Sequence, residues 1–471
     1  MFDPLRFGTS VALVDDARTW TYEELAHAGE SIAQAIGGRT LAFIACTNTV
    51  GCIAGYTGML DAGIAPLMVG ADLDMQLLHG LADVYAPTHI WAPTAQADDF
   101  PGYRKDFSFE SYTLLVSEDP RDAELHDDLA LLMSTSGSTG TPKLVRLSAE
   151  NLLSNARSIV EYLGITADER AITSLPLHYV YGLSVLNTHL LMGASLALTE
   201  LACYTGSFWK FFKKTGCTSF AGVPFMYEML DKLKFANKTA PEGLKTMTQA
   251  GGKLSPALQE KFTAFAQREG LDFFVMYGAS EATARMAYLP PDHAAEKPGS
   301  MGIPIPQGRF EIVDVDGSVI DAANTPGELV YYGPNVSLGY ALERSDLSKG
   351  DENAGRLPTG DIAMRDEDGF YYVVGRLKRF IKMLGKRMNL DDVERLLKEQ
   401  LDTVDVACAG KDDLLKVFVL DDDLIQPARD VVTGRLDVNP RMLEVFVIDE
   451  IPKSSSGKTL YAKLNDMQEV S

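Results

Sequence analysis

Leu129-Ala-Leu-Leu-Met133 is an unbroken apolar run that stops at Ser134-Thr-Ser-Gly-Ser-Thr-Gly-Thr-Pro-Lys143. A short apolar run without polar alternation is the pattern of a strand buried on both faces, and such strands belong to the parallel sheets of layered α/β folds. Leu41-Ala-Phe-Ile-Ala45 repeats it, and Val11-Ala-Leu-Val14 reads as a shorter strand. Thr21-Tyr-Glu-Glu24 forms a capping box, with Leu25, Ala28, Ile32 and Ala35 following at helical spacing. Strand and helix signals alternate to about residue 290. The expected fold class is therefore α/β, with a large N-terminal domain of layered α/β subdomains. From about residue 300, "FEIVDVDGSVI", "GELVYYG" and "GFYYVVG" read as short strands, giving a β-rich subdomain over about 300–375. The expected boundary puts 1–375 in the N-terminal domain and 376–471 in a small, mobile α+β C-terminal domain. That tail should hold a helix near 391–400 and strands near 404–408, 415–420 and 444–449.

Two stretches suggest phosphate binding. The loop from Ser134 follows a buried strand, is rich in hydroxyls, and ends on Lys143. Gly137 and Gly140 let its backbone approach a ligand closely, and successive N–H groups in such a turn make an anion-binding nest. The second stretch, Pro452-Lys-Ser-Ser-Ser-Gly-Lys-Thr459, nearly spells a P-loop, but Pro452 replaces the first Gly. A P-loop also opens a long helix whose N-terminus holds the phosphates, and the sequence stops at 471. This stretch is expected to be either a flexible loop that presents Lys458 or a surface turn with a solvated lysine.

Charge and composition narrow the function classes. The formal charge of −22 argues against a sequence-independent grip on nucleic acid or an anionic membrane, both of which need clustered Lys and Arg. Cys46, Cys52, Cys203, Cys217 and Cys408 include no C-x-x-C pair, so buried free thiols are expected rather than disulfides or a zinc site. "MFDPLRFGTS" lacks the basic and apolar regions of a secretory signal, and no apolar stretch reaches the length of a membrane span. A cytoplasmic location is expected.

"TSGSTGTPK" (135–143) resembles the signature of the adenylate-forming superfamily, which includes acyl- and aryl-CoA synthetases, peptide-synthetase adenylation domains and luciferases. Further motifs follow in the family's order: "QAGGKLSP" (249–256), "YGASEAT" (277–283), "PTGD" (358–361), "GRLKRFIKMLGKR" (375–387) and "PKSSSGK" (452–458). The resemblance implies that a carboxylate attacks the α-phosphorus of ATP, giving an acyl-adenylate and pyrophosphate. A thiol, of CoA or of a carrier protein's pantetheine arm, then attacks the acyl carbon and releases AMP.

The resemblance also implies site residues. Thr135, Ser136, Gly137, Ser138, Thr139, Gly140 and Lys143 would hold the β- and γ-phosphates. Gly251 and Gly252 would form the adenine-side loop, with Tyr277 and Gly278 beside it. Ser280 would touch the α-phosphate and Glu281 would hold Mg²⁺. Asp361 would accept from the ribose hydroxyls with Arg376 assisting, although Asp361 as a turn residue and Arg376 as a plain interdomain ion pair are alternatives. Lys458 would be the catalytic cation at the reacting centre. Lys378 falls at the hinge, and Gly385, Lys386 and Arg387 would face the thiol tunnel.

The acid pocket implied by the resemblance includes His178, Tyr179, Val180, Gly222 and Val223. His178-Tyr179 departs from the family's usual order, so His178 is equally a packed wall residue. The resemblance puts Val180 where amino-acid-activating domains place an Asp, and a buried ammonium without a carboxylate partner is costly, so a non-amino acid is expected. The leading expectation is an acyl- or aryl-CoA synthetase. The alternatives are an enzyme that loads a carrier protein and a nucleotide-binding scaffold without catalysis.

Overall fold

The computed structural model describes residues 4–121, 123–134, 143–383, 386–403, 405–436, 438–453 and 459–465, without the side chains of 4, 378, 380, 386, 387 and 462. The chain divides into two compact units. One holds most of the first 310 residues together with Tyr331–Leu357, and the other holds Glu311–Val330 and the chain from Pro358 onward.

The first unit is built on two large sheets. In the eight-stranded sheet, Leu129–Ser134, Ala65–Gly70, Leu41–Cys46 and His89–Pro93 form a parallel series, and antiparallel strands flank it on both sides. All six residues of Leu41–Cys46 and all six of Ala65–Gly70 are buried, as their unalternating apolar sequences require. The nine-stranded sheet has the parallel series Thr246–Gln249, Ser219–Gly222, Arg170–Ile172 and Ser195–Ala197 at its centre, with Asp272–Tyr277 parallel to the first of these.

The helices Val50–Asp61 and Val180–Met192 share one core with strands of both sheets. Each is buried on nearly every side, and apolar residues predominate all round it, as in a helix with little solvent face. Tyr56 Oη donates to Asn187 Oδ1 at 3.0 Å between them, which satisfies the two polar groups that this contact buries. The capping box at Thr21 and Glu24 starts the helix Tyr22–Ile36, and Ser148 caps Ala149–Leu163 with Asn151 reciprocating.

The second unit takes up most of a four-stranded sheet ordered Arg309–Val313, Gly327–Tyr332, Arg356–Arg365 and Tyr371–Arg376. Beyond it come the hairpin Phe380–Met383/Lys386–Asn389, the helix Leu390–Gln400, and a three-stranded sheet of Val406–Lys411, Leu414–Val419 and Leu443–Val447. These elements fall where the sequence indicates. Two further helices, Ile425–Leu436 and Tyr461–Asn465, are not among the expected ones. The core here is Val393, Leu397, Cys408, Val417, Ala428 and Val432. The two units together match the expected fold class: a large α/β portion and a smaller α+β portion. All five cysteines are buried and free. Among the described residues, no helix is long and apolar enough to cross a membrane.

Candidate active site

Three adjacent parallel strands of the nine-stranded sheet deliver candidate residues at their carboxyl ends. Ser219–Gly222 ends on Gly222 and Val223, Thr246–Gln249 leads to Gly251 and Gly252, and Asp272–Tyr277 ends on Tyr277 and Gly278. Ligands of open α/β sheets bind outside this end of the strands. His178 and Tyr179 directly precede the helix Val180–Met192.

Local contacts join the residues expected to line an acid pocket to the glycine expected on the adenine side. Gly251 has φ +86°, and a Cβ there would meet the Tyr179 hydroxyl at 2.3 Å and Val223 Cγ1 at 3.2 Å. Gly251, Tyr179 and Val223 are thus in contact, and the position needs glycine for both conformation and space. Burial raises the Tyr179 phenol to about 12, so it stays protonated. The His178 ring stands by Gly70 and Asp72: a Cβ on Gly70 would lie 2.9 Å from His178 Cε1 and 2.4 Å from Asp72 Oδ1. Burial lowers the His178 pKa while Asp72 opposes the shift, and its buried Nδ1 has no hydrogen-bond partner among the described residues. Val180 is 7% exposed and brings no charge.

Ser280 and Glu281 lie in the short turn Ser280–Ala282. The turn is tied down by a buried polar network: Thr283 donates to the Asn335 carbonyl at 2.6 Å, and Asn335 Nδ2 donates to the carbonyls of Ala282 and Arg285. Ser337 N donates to the Glu281 carbonyl at 2.8 Å. A Cβ at Gly278 would stand 1.6 Å from the Ala284 carbonyl oxygen, so the loop closes only around glycine.

The Glu281 side chain accepts a 2.6 Å hydrogen bond at Oε1 from the Tyr340 phenol. Burial, and then Glu281 itself, raises the Tyr340 pKa. Lys143 Nζ stands 5.6 Å from the centroid of the Tyr340 ring. Tyr340, which the motifs do not mark, therefore links the lysine that ends the first loop to the expected metal-binding carboxylate. It arrives through tertiary pairing: Gly339–Ala341 runs antiparallel to Leu144–Ser148, with Tyr340 opposite Val145. Fully buried Arg146 secures that pairing, donating to the carbonyls of Leu338, Tyr340, Lys349 and Gly350 and pairing with Glu352 at 2.5 Å.

In the second unit, Asp361 is 4% exposed and its Oδ1 accepts from Arg376 Nε at 2.9 Å. The strands that carry them place the two residues opposite one another. Gly360 turns at φ +69°, and the Asp361 N–H donates to Thr359 Oγ1. Asp361 and Arg376 thus form an ion pair within this unit. Lys378 lies in the turn Leu377–Arg379, and Lys386 and Arg387 begin the strand Lys386–Asn389. Thr135, Ser136, Gly137, Ser138, Thr139, Gly140, Gly385 and Lys458 lie outside the described residues. The residues flanking Lys458 are paired: Lys453 and Thr459 form an antiparallel bridge, and Leu460 N donates to the Pro452 carbonyl at 2.8 Å.

A carboxylate with one oxygen held by a phenol and, among the described residues, no hydrogen-bond partner on the other suits Mg²⁺, a hard ion that takes carboxylate and phosphate oxygens and keeps waters. Among the described residues, no group of three or more His, Cys, Asp or Glu gathers into an all-protein cage. Glu281 fits an ion that arrives with a polyphosphate.

Comparison with known proteins speaks to the family and the fold. The family model described as "AMP-binding enzyme" matches residues 4–341. The chain is 29% identical over 345 residues to an oxalate–CoA ligase of Arabidopsis thaliana, covering 70% of this chain and 66% of the relative. It is 28% identical over 350 residues to a luciferin 4-monooxygenase of Nipponoluciola cruciata, covering 70% and 62%. The matched region thus spans less than two thirds of the length of these relatives. Among solved structures, the o-succinylbenzoate CoA synthetase of Bacillus subtilis in complex with its acyl-adenylate superposes with a TM-score of 0.81 at 22% identity, covering 99% of this chain and 97% of that one. At that identity the superposition speaks for the fold. The chain belongs to the AMP-binding enzyme family.

Proposed function

We propose that the protein activates a carboxylic acid with ATP and passes the acyl group to a thiol, CoA in the first instance. The carboxylate oxygen attacks the α-phosphorus and pyrophosphate leaves. A thiolate then attacks the acyl carbon, and the acyl–phosphate bond breaks to release AMP. Neither half needs a covalent link to the protein, so the residues act by positioning and by charge. The observation that carries this reading is the Lys143–Tyr340–Glu281 group, a cation and an oriented carboxylate set beside the turn of Ser280.

In this reading Lys143 and the loop 135–140 take the β- and γ-phosphates. Gly251, Gly252, Tyr277 and Gly278 flank the adenine, Ser280 meets the α-phosphate, and Asp361 with Arg376 takes the ribose. Mg²⁺, held by Glu281, supplies charge neutralisation to the polyphosphate when bound. Lys458 bridges the acyl oxygen and the α-phosphate, offsetting the repulsion between two anions. Gly385, Lys386 and Arg387 serve the thiol, and Lys378 is the pivot between the two half-reactions. His178, Tyr179, Val180, Gly222 and Val223 line the acid pocket. Its uncharged Val180 supports an acid without an α-ammonium.

ATP–pyrophosphate exchange over a panel of aliphatic, aromatic and amino acids tests the reading. Exchange stimulated by a non-amino acid and reduced about 10²-fold or more in Glu281→Gln is expected. No stimulation by any acid sinks the proposal. Offering CoA and a pantetheine-bearing carrier protein side by side, with thioester as the product measured, separates the two acceptors.

A further inference from the structure

A cavity of about 50 Å³ lies inside the first unit, between the helix Val180–Met192 and the strands Arg170–Ile172, Ser219–Gly222 and Thr246–Gln249. One water needs about 10–15 Å³ on this measure, so the space suits about three or four waters or one carboxyl group. Its wall carries Arg285 and His189, which are 2% and 4% exposed. Arg285 Nη1 donates to the Tyr162 hydroxyl at 3.1 Å and to Met276 Sδ at 3.2 Å, and the guanidinium stands 5.0 Å from the centroid of the Tyr181 ring. Its buried Nε has no partner, and no carboxylate among the described residues pairs with it. His189 Nδ1 lies 2.8 Å from the Val185 carbonyl oxygen, which can only accept, so the ring proton sits on Nδ1. Nε2 is left buried without a partner. Glu169 also lines the cavity, but its carboxylate is already taken by the Thr218 hydroxyl and by Lys245 Nζ at 3.2 Å.

A buried guanidinium without a counter-charge and a buried imidazole nitrogen without a donor are both costly, and one ligand can relieve both. We propose that this cavity binds a small carboxylate between Arg285 and His189. One carboxylate oxygen accepts from Arg285 Nε–H. Neutral His189 offers a lone pair, so a proton must sit between Nε2 and the second oxygen, and binding takes up one proton from solvent. Burial holds the free His189 down to about 4, with Arg285 adding to the effect and Glu169 and the Val185 carbonyl opposing it. Tyr162 and Tyr181, which face Arg285, have phenols raised by burial and remain neutral. A bound anion raises the His189 pKa, so the extra affinity is fully present at low pH and is lost as pH rises through the bound-state value.

The carboxylate has two sources, a free small acid or the distal end of the acid being activated; the second rests on the proposed adenylation. Calorimetry with malonate and with propionate, on the wild type, Arg285→Met and His189→Leu at pH 6 and 8, reads the site without catalysis. Binding at pH 6 that weakens at least tenfold by pH 8, and at least tenfold in either variant, is expected. Should Arg285→Met not fold, His189→Leu and the wild-type pH dependence carry the test. Binding that ignores pH or survives the substitutions overturns the proposal, as does a crystal structure in malonate at pH 6 with only water between the two side chains. If the distal group of the substrate is the ligand, diacids exceed monoacids of equal length at least tenfold in pyrophosphate exchange, and Arg285→Met abolishes that ratio. If a free acid is the ligand, added malonate changes exchange on a monoacid. No exchange with any acid removes the adenylation reading and leaves the calorimetric result standing.

Discussion

Tyr340 orients a carboxylate with a single proton. Its phenol occupies Glu281 Oε1 at 2.6 Å, and the proposed cation would take the other oxygen. Tyr340→Phe keeps the ring and removes the donor, so the fold should lose only about 1 kcal/mol. The Mg²⁺ concentration for half-maximal pyrophosphate exchange should rise several-fold. An unchanged Mg²⁺ titration would mean that the phenol does not set the carboxylate. His189 gives a second expectation, this one for stability. Its folded pKa is lowered from 6.5 to about 4 by burial, so the unfolded chain binds the proton first. The folded state is penalised as pH falls from 6.5 toward 4, by up to about 3 kcal/mol. His189→Gln should flatten that limb of the unfolding free energy in denaturant melts at pH 4 and 7, and an equally steep limb in the variant would assign the loss to other groups.

Among elements, the short strand Gly339–Ala341 depends on Arg146. Four backbone carbonyls and Glu352 converge on one guanidinium that is fully buried. Arg146→Met fills similar space and leaves those acceptors and a carboxylate without their donor. The expected cost is about 3–5 kcal/mol, read in a denaturant melt, with the Mg²⁺ requirement rising because Tyr340 rides on the same strand. A loss below about 1 kcal/mol would show that water replaces the guanidinium there. The contrast with the capping box at Thr21 is instructive, because that signal lies within four residues of chain and could be read directly. The helix Ile425–Leu436 was not legible. Pro427 and Gly434 interrupt its pattern, and only Ala428 and Val432 are buried in the core beneath it. Arg379 was read only as part of a motif. It pairs with Asp391 at 2.7 Å and Glu394 at 3.2 Å, and its guanidinium lies 3.6 Å from the centroid of the Tyr461 ring, which fastens the residue after the proposed pivot to its own unit.

At the scale of the whole molecule, the proposed cycle divides two half-reactions between two sets of residues of the smaller unit. Lys458→Ala should lower pyrophosphate exchange by about 10²–10³ and spare thioester formation from supplied acyl-adenylate. Equal loss of both halves would remove the division of labour. Local pattern was enough to determine the layered α/β class, the buried strand Leu129–Ser134 and the order of the family motifs, because burial on both faces restricts residue type along a few consecutive positions. Tertiary structure alone decided that Tyr340 meets Glu281, that Asp361 and Arg376 pair within one unit, and that Arg285 and His189 share a cavity. Those contacts join residues 15 to 96 positions apart, and no local preference encodes a meeting that exists only once the sheets have set their register.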